Sequence, residues 1–545
     1  MAVKAFSFKS LLSFTSRVLH KRLKNTRSLQ RKLSTNAHLS PFKLKRYSSS
    51  LTQRSSSSSS LDNLSKHSTS IFNVESALLK STSLFPYFMI VAFEAGGLLR
   101  ALILLLLYPF VCLMNKELGM KVMVFVCFCG IKRQSFRVGR AVLPKFFLED
   151  VGFEGLDVVR RGGRKVGVSD LPRVMVEGFL REYLDIDVVV GRELKEFHGY
   201  YLGLMEDKKK GYCSALENVI GHDDERTSSD GVVGFGSLDN LLDHQFFSLC
   251  KDMYIVTEAD KRSWTYLSKE KYPKPLIFHD GRLAIRPTPI TTVAIFMWVP
   301  LGLFLAITRA LIGTLLPYKL STPLLALSGI KLRLITLPKP SLNVSTNETK
   351  QKKGVLYVCN HRTLMDPLYL STILNKPVTA VTYSLSKVSE LLAPIKTVSL
   401  TRDKQKDSRI LEKLLSQGDL VMCPEGTTCR ENFLLRFSPL FAEMGDEIIP
   451  VAMDSHVNMF YGTTASGLKC LDPVFFLMNP CPSYTVKLLD KVNGVSACGD
   501  DNELRLKVAN HVQEEIGKAL GFQCTRLTRK DKYLVLADNE GIVKL

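Results

Sequence analysis

The sequence predicts an α/β protein of two parallel-sheet domains with apolar segments between them. Three observations carry this. Short apolar strands alternate with helical patterns from Ile71 to about residue 270, and the same alternation runs from Val355 to Leu489. Between them, Pro287–Thr308 (PTPITTVAIFMWVPLGLFLAIT) falls in a stretch with no charge between Arg286 and Arg309. At 545 residues the chain exceeds one ordinary core, and its 46% apolar content is that of a folded protein. The formal charge of +21 admits nucleic acid, an anionic membrane surface or anionic small substrates. No zinc-finger spacing or aromatic-basic RNA signature accompanies it, which argues for no nucleic acid. The 12 cysteines are scattered, and the one close pair, Cys127 and Cys129, lies on an apolar run, as reduced buried thiols do.

The leader, residues 1–67, is basic and serine-rich, with no Asp or Glu before residue 62 and a serine run at Ser55–Ser60. Phe6, Leu11, Leu12, Phe14, Val18 and Leu19 alternate with Lys4, Lys9, Arg17, Lys21 and Arg22. That pattern suits a basic amphipathic helix and resembles a mitochondrial or plastid transit peptide. A disordered arm lying on anionic lipid is the other reading. The apolar runs are too short and too interrupted for a secretory signal.

The first domain, residues 68–270, opens with IFNVESALLK, a strand entering a turn. In FPYFMIVAFEAGGLLRALILLLLYPFVCLM the uncharged part, Ala101–Asn115, is short of the roughly 20 apolar residues a span needs. Glu94 and Arg100 flank it, so a buried or interfacial helix fits as well as a crossing. Lys165–Ser169, Ile186–Val190 and Val232–Phe235 read as buried parallel strands. Residues 271–330 are a linker with membrane segments. Pro-rich 271–289 is the linker, and Pro287–Thr308, at roughly 1.5 Å per residue, can cross a bilayer core of about 30 Å. Pro300 would kink it and its basic flanks would snorkel. Leu311–Leu327 carries Pro317, Lys319 and Pro323 and reads as re-entrant or in-plane. Pro338–Lys353 is a polar connection.

In the last domain, residues 331–545, the strand Val355–Val358 runs into Asn360-His361, with Asp366 four intervening residues later. A loop or first helical turn would return that carboxylate to the ring, fix its tautomer and leave the other nitrogen to take a proton from an alcohol. Further strands are expected at Val378–Tyr383, Thr397–Leu400, Leu420–Cys423, Ile448–Val451 and Tyr484–Leu489. Ile410, Leu411, Leu414 and Leu415 mark a helix over Lys404–Gln417, closed by Gly418. Arg402 falls just past a strand. Pro424-Glu425-Gly426-Thr427 falls in a loop after another, with Arg430 nearby, and Pro450 falls in an apolar edge.

Taken together, Asn360-His361-x4-Asp366, Arg402, CPEGTTCR and IIPVA resemble the four sequence blocks of the glycerolipid acyltransferases; in the second block only Arg402 is clear. The first domain resembles the haloacid dehalogenase-like phosphohydrolases, whose first strand ends in Asp-x-Asp. Here Asn73 and Glu75 hold those places, Ser169 matches the family's hydroxyl and Lys208 or Lys209 its lysine. Ser237 stands where a metal-binding aspartate is expected. An amide is no nucleophile for phosphorus and one Mg²⁺ ligand is weakened, so the resemblance implies a phosphatase fold without phosphatase activity. The order of parts resembles the plant sn-glycerol-3-phosphate acyltransferases over nearly all of residues 68–545.

That resemblance implies acyl transfer from acyl-CoA to glycerol 3-phosphate, giving lysophosphatidic acid. His361 is then the general base, oriented by Asp366. Arg402 and Arg430 suit the phosphate, Gly426 lets backbone amides approach, and Glu425 with Thr427 suit hydroxyls, in a loop begun by Pro424. A thioester is already activated, so no metal and no cofactor are expected beyond acyl-CoA as co-substrate. Membrane lipids are expected partners of a multi-pass membrane protein, in the endoplasmic reticulum or the mitochondrion. A lysophosphatidate acyltransferase is the nearest alternative. A catalytically silent membrane scaffold is the alternative of another class, against which the intact NHRTLMD and CPEGTTCR weigh.

Overall fold

The computed structural model describes residues 69–206, 232–237, 250, 252–336, 354–382, 390, 393–401, 403–443, 447–494 and 502–541, with the backbone of 43–46. The rest of the leader, Lys208, Lys209, Pro338–Lys353 and Arg402 lie outside the described residues. The chain divides into two compact units, Met1–Gly139 with Leu143–Lys274, and Arg140–Val142 with Pro275–Leu545.

The first unit is built on a parallel sheet. Its strands are β1 (Lys43–Arg46), β2 (Ser70–Asn73), β3 (Lys165–Pro172), β4 (Val188–Arg192), β7 (Val233–Gly236) and β8 (Asp252–Ile255), in the order β1-β8-β7-β2-β3-β4. β5 (Leu194–Phe197) and β6 (Tyr200–Met205) form a separate antiparallel hairpin. Ile71, Val166, Val168, Val190 and Met253 pack in the core, as continuous apolar strands in a covered parallel sheet must. β4 starts two residues later than Ile186 and β3 runs three past Ser169, while β8 carries no apolar run long enough to announce it.

Helix α1 (Phe85–Leu113) is 29 residues long, nearly twice the uncharged stretch that marks it in sequence. Glu94 and Arg100 lie inside the helix rather than at its ends. The Arg100 guanidinium folds back to donate to the carbonyls of Cys127 and Cys129, at the end of α2 (Lys116–Phe128), at 2.8 and 2.9 Å. It thereby satisfies carbonyls that a helix end leaves open. Gly97, at φ +78, breaks the helical conformation midway.

The second unit carries the longer sheet, ordered β12-β11-β13-β10-β15-β16-β9. The strands are β9 (Lys331–Thr336), β10 (Leu356–Cys359), β11 (Thr379–Thr382), β12 (Thr397–Ser399), β13 (Leu420–Met422), β15 (Glu447–His456) and β16 (Ser483–Leu488). β14 (Phe433–Leu434) pairs with β18 (Gln523–Cys524), and β17 (Val492–Asn493) flanks β15. Strands β10 to β13 run parallel, and Val358 pairs with Met422 in register, so the segments leaving β10 and β13 start side by side on one sheet edge. Ligand sites of open parallel sheets form at such edges. Pro450 faces Val358 across the β10 pairing. On its other side it falls in the gap between the β16 and β17 ladders, where a missing N–H leaves no strand bond unmade.

Helix α3 (Pro289–Leu315) and α4 (Tyr318–Leu327) precede the sheet and are broken from each other at Leu316-Pro317. Only 22% of the most apolar window of α3, and 28% of that of α1, is buried, unlike a soluble core helix. Both are long and apolar enough to cross a membrane. Arg309 is no snorkelling flank. It is buried, and donates to the carbonyls of Leu477 at 2.7 Å and Asn479 at 2.6 Å, at the C-terminal end of α3's neighbour α7 (Asp472–Leu477). Residues 271–289 are not a free linker either. Asp280 is buried and accepts from Ala465 N at 3.1 Å and Thr464 Oγ1 at 2.9 Å. The remaining helices used below are α5 (Asp366–Leu374), α6 (Lys404–Gln417), α8 (Asn502–Leu520) and α9 (Arg529–Ala537).

Candidate active site

Two loops meet at the parallel edge. The first, after β10, carries Asn360 and His361. Asn360 is fully buried, and its side chain exchanges two hydrogen bonds with the main chain of Met453, at 2.9 and 2.7 Å. It continues the sheet pairing to β15 by one side-chain step. Asp366 opens α5, and its carboxylate turns back over the loop. Oδ2 accepts from His361 Nδ1 at 2.9 Å, Arg362 N at 2.6 Å and Thr363 N at 3.0 Å. Oδ1 accepts from Thr363 Oγ1 at 3.1 Å and Tyr484 OH at 2.8 Å. A helix-initial carboxylate thus satisfies the loop amides ahead of it and fixes the ring at once. With Nδ1–H donating to the carboxylate, Nε2 is the basic nitrogen.

The second loop, Pro424–Arg430, holds His361 by its main chain. The His361 N–H donates to Glu425 Oε1 at 2.7 Å, and its carbonyl accepts from Cys429 N at 2.8 Å. The other Glu425 oxygen accepts from Leu435 N at 2.9 Å. Both Glu425 oxygens therefore serve backbone, and the residue is buried, which places it in the frame and not among hydroxyl-binding groups. Burial pushes its carboxyl up to about 7 against the pull of those two amides. Pro424 accepts from Ser438 N at 3.0 Å, and Gly426 takes φ +66, which a side chain would strain.

Arg430 is placed differently from its sequence reading. Its guanidinium donates to Thr463 Oγ1 and Gly281 O, both at 2.9 Å, and pairs with Asp280 at 3.5 Å. Its guanidinium carbon lies over the Tyr461 ring, 4.3 Å from the centroid. Cation and carboxylate are both buried, so Arg430 fastens the 275–286 segment to the loop instead of facing a ligand. The ordering of that segment, about 150 residues away in sequence, is what local reading lacked.

His361 opens onto a cavity of about 630 Å³, within the usual size of small-molecule sites. Gly426 and Thr427 line it; Glu425 and Arg430 do not. Much of the wall is apolar, with Ala306, Ile307 and Ala310 of α3, Leu325 of α4 and Leu368 of α5. It also carries Lys469, Arg529 and Lys532, which motif reading missed. The one available signal was the spacing of Arg529 and Lys532, three apart on one helix face.

The imidazole is 15% exposed, and Asp366 beside it is fully buried. Burial opposes the imidazolium. The Cys423 sulfur and the Asp366 carboxylate outweigh it, and hold the ring well above the ordinary histidine range. The Cys423 thiol is itself pushed well above its usual range, by its hydrogen bond to Cys359 and by burial. It is neutral near pH 7, so Asp366 supplies the charge that matters. Donor atoms of His361, Asp366 and Cys423 lie within 4.8 Å of one another, but they do not fit a metal ion. Each Asp366 oxygen is already filled by protein donors, and the thiol is protonated.

In the first unit Asn73, Glu75, Ser169 and Ser237 converge at the ends of β2, β3 and β7. Asn73 Oδ1 accepts from Ser76 N at 2.9 Å and Ser76 Oγ at 2.7 Å, and Ser237 N donates to Ser76 Oγ at 3.0 Å. Glu75 Oε1 accepts from Ser169 Oγ and from Asp170 N at 3.0 Å. Burial first, then Asp170, raise the Glu75 carboxyl to about 7. The Lys261 ammonium donates to the Glu75 carbonyl at 2.9 Å. This donor set does not fit the divalent cation of phosphohydrolases. One oxygen of the Glu75 carboxylate is taken by β3, an amide replaces the other carboxylate, and the Lys261 cation is already in place.

Residues 69–256 match the family model described as "Glycerol-3-phosphate acyltransferase RAM2-like, HAD-like domain", and residues 341–454 the one described as "Acyltransferase". The chain is 58% identical over 488 residues to "Probable glycerol-3-phosphate acyltransferase 2" of Arabidopsis thaliana, covering 88% of this chain and 91% of the relative. "Glycerol-3-phosphate acyltransferase RAM2" of Petunia hybrida is 42% identical over 487 residues, covering 86% and 97%. Among solved structures, the lysophosphatidate acyltransferase PlsC of Thermotoga maritima aligns at 17% identity with a TM-score of 0.25, over 42% of this chain and 91% of that one.

Proposed function

The chain belongs to the glycerol-3-phosphate acyltransferases, and we propose that it moves a fatty acyl group from acyl-CoA to a hydroxyl of glycerol 3-phosphate, giving lysophosphatidic acid. The observation that carries this is the His361–Asp366 pair, 2.9 Å apart, with His361 on the wall of a cavity lined by both apolar and basic side chains. His361 Nε2 takes the hydroxyl proton as the oxygen attacks the thioester carbonyl carbon. The tetrahedral intermediate then expels the CoA thiolate, which recovers the proton from the imidazolium. Asp366 stabilises the imidazolium meanwhile. General-base assistance of this kind contributes about 10²–10⁴-fold.

The acyl chain lies against α3 and α4, and α1 and α3 embed the protein in a membrane, which brings the donor to the site. The phosphate stays on the product. Support for this is the first unit's amide at Asn73 and the Lys261 ammonium on Glu75.

The test uses membranes from cells expressing the full chain, labelled glycerol 3-phosphate and a panel of acyl-CoAs. Wild type should yield lysophosphatidate without free phosphate, and His361→Ala should yield none while melting at the same temperature. Turnover retained by His361→Ala would end the mechanism. Product formed from lysophosphatidate alone would move the protein to the second acylation. Phosphate release by wild type would refute the reading of the first unit.

A further inference from the structure

Resting on that reading, we propose that Lys532 of α9, with Arg529 one turn before it and Lys469 beside it, forms the subsite that receives the phosphate of the acceptor. The three line the cavity that holds His361. Lys469 and Arg529 are gathered on one ring, Lys469 Nζ at 4.7 Å and the Arg529 guanidinium carbon at 5.2 Å from the Tyr533 centroid. Arg529 also reaches the Gly426 carbonyl, at 3.5 Å, and so sits against the loop that frames His361.

Lys532 is the unusual member. Its side chain is buried, and its ammonium donates to Thr428 O at 2.6 Å, Thr428 Oγ1 at 3.1 Å and Thr427 Oγ1 at 3.3 Å. No carboxylate pairs with it among the described residues. Arg430, Cys429, Asp280 and Lys469 face it from the packed elements, with Arg529 on its own helix. Asp280 is already ion-paired with Arg430, and the Cys429 thiol is pushed up to about 12 and is neutral. Asp472, the acid of the cavity wall, is paired with Arg282 at 2.6 Å. A buried cation without a counter-ion is costly, and its neighbours add positive charge instead of removing it. A phosphate dianion supplies the missing charge, accepting from Lys469 and Arg529, and from Lys532 in exchange for its long bond to Thr427 Oγ1. Burial and Arg430 bring the Lys532 ammonium down to about 8, so the empty site loses charge above that pH and an arriving dianion restores it.

The experiment is steady-state kinetics on the full chain in membranes, varying glycerol 3-phosphate and acyl-CoA separately, with inorganic phosphate as a competing probe. Lys532→Met should raise the KM for glycerol 3-phosphate about 10- to 100-fold, and the half-buried Lys469→Met about 10-fold. Both should leave the KM for acyl-CoA unchanged and weaken inhibition by inorganic phosphate in proportion. The wild-type KM for glycerol 3-phosphate should climb above about pH 8, and that climb should vanish in Lys532→Met. Melting curves establish that each variant is folded. If Lys469→Met and a folded Lys532→Met keep the wild-type KM and phosphate inhibition, the subsite is elsewhere and the proposal is overturned. Wild type that never acylates glycerol 3-phosphate would overturn the reading above and this subsite with it.

Discussion

Glu425→Gln separates two roles that the same loop could give this residue, frame or ligand. In the structure each carboxylate oxygen takes a different main-chain amide, His361 N at 2.7 Å and Leu435 N at 2.9 Å. Glutamine keeps one oxygen and puts an NH₂ group in place of the other, so one amide is left facing a donor. An unsatisfied buried donor costs about 1–3 kcal/mol. Against this, burial raises the wild-type carboxyl from 4.5 to about 7. Keeping it ionised therefore costs the native state roughly 3 kcal/mol, which glutamine does not incur. The folded protein binds this proton more tightly than the unfolded chain. The stability Glu425 contributes is thus full below about pH 4.5 and lost as the pH rises through about 7. At pH 8 the variant should melt close to wild type, and at pH 5 clearly below it.

Kinetics give the second readout. Displacing the His361 amide moves the ring relative to Asp366 and the acceptor, and misplacement of about 1 Å costs on the order of 10²-fold. The expected result is a kcat lowered about 10- to 100-fold with the KM for glycerol 3-phosphate unchanged. A raised KM with kcat intact, and a melting difference that does not vary with pH, would refute the framing role and return Glu425 to the substrate's hydroxyls.

Three further outcomes follow from the same contacts. Asp366→Asn removes the charge that holds the His361 imidazolium up. The acid limb of kcat, which in wild type lies above the ordinary histidine range because the base must be neutral, should move to lower pH, with kcat down about 10²–10⁴-fold; an unmoved limb would exclude Asp366 as the cause. Arg430→Met should lower the melting temperature by breaking the buried Asp280 pair, with the KM for glycerol 3-phosphate little changed, and a selective KM rise would restore its sequence-based role as a phosphate ligand. Glu75→Gln keeps the oxygen that Ser169, Asp170 and Leu171 use and removes a carboxyl raised to about 7. Wild-type stability falls between about pH 4.5 and 7 on its account, so the variant should melt higher at pH 8, and a lower melting point there would refute the burial argument.

What the sequence showed clearly is what neighbours in the chain decide. Helix α6 runs over Lys404–Gln417 as its apolar spacing and Gly418 require, and β10 delivers His361 and Asp366 as their spacing suggests. The span of α1 was hidden because its two charges look like terminators. One of them, Arg100, is used to cap the end of α2. Side-chain direction was not legible at all where distant segments set it. Glu425 and Arg430 carry the right chemistry for a polar substrate, yet the backbone of His361 and the buried Asp280 claim them first.

That competition also explains why two motifs more than 60 residues apart in the chain act as one unit. Parallel pairing of β10 with β13 starts their loops level, but a level start does not hold a ring in place. The loop after β13 does so by gripping the main chain of His361 from both sides, through Glu425 and Cys429, while Asp366 grips the ring. A base held at three points can meet its substrate without first being ordered, which is the entropic advantage of a preorganised site. The same commitment removes Glu425 and Arg430 from ligand duty. Charge for an anionic acceptor then has to come from outside the motifs. Arg309 on the cavity wall is likewise taken up, by the carbonyls of Leu477 and Asn479, so among the described residues the other basic groups of the wall beyond the motifs are those on and against α9.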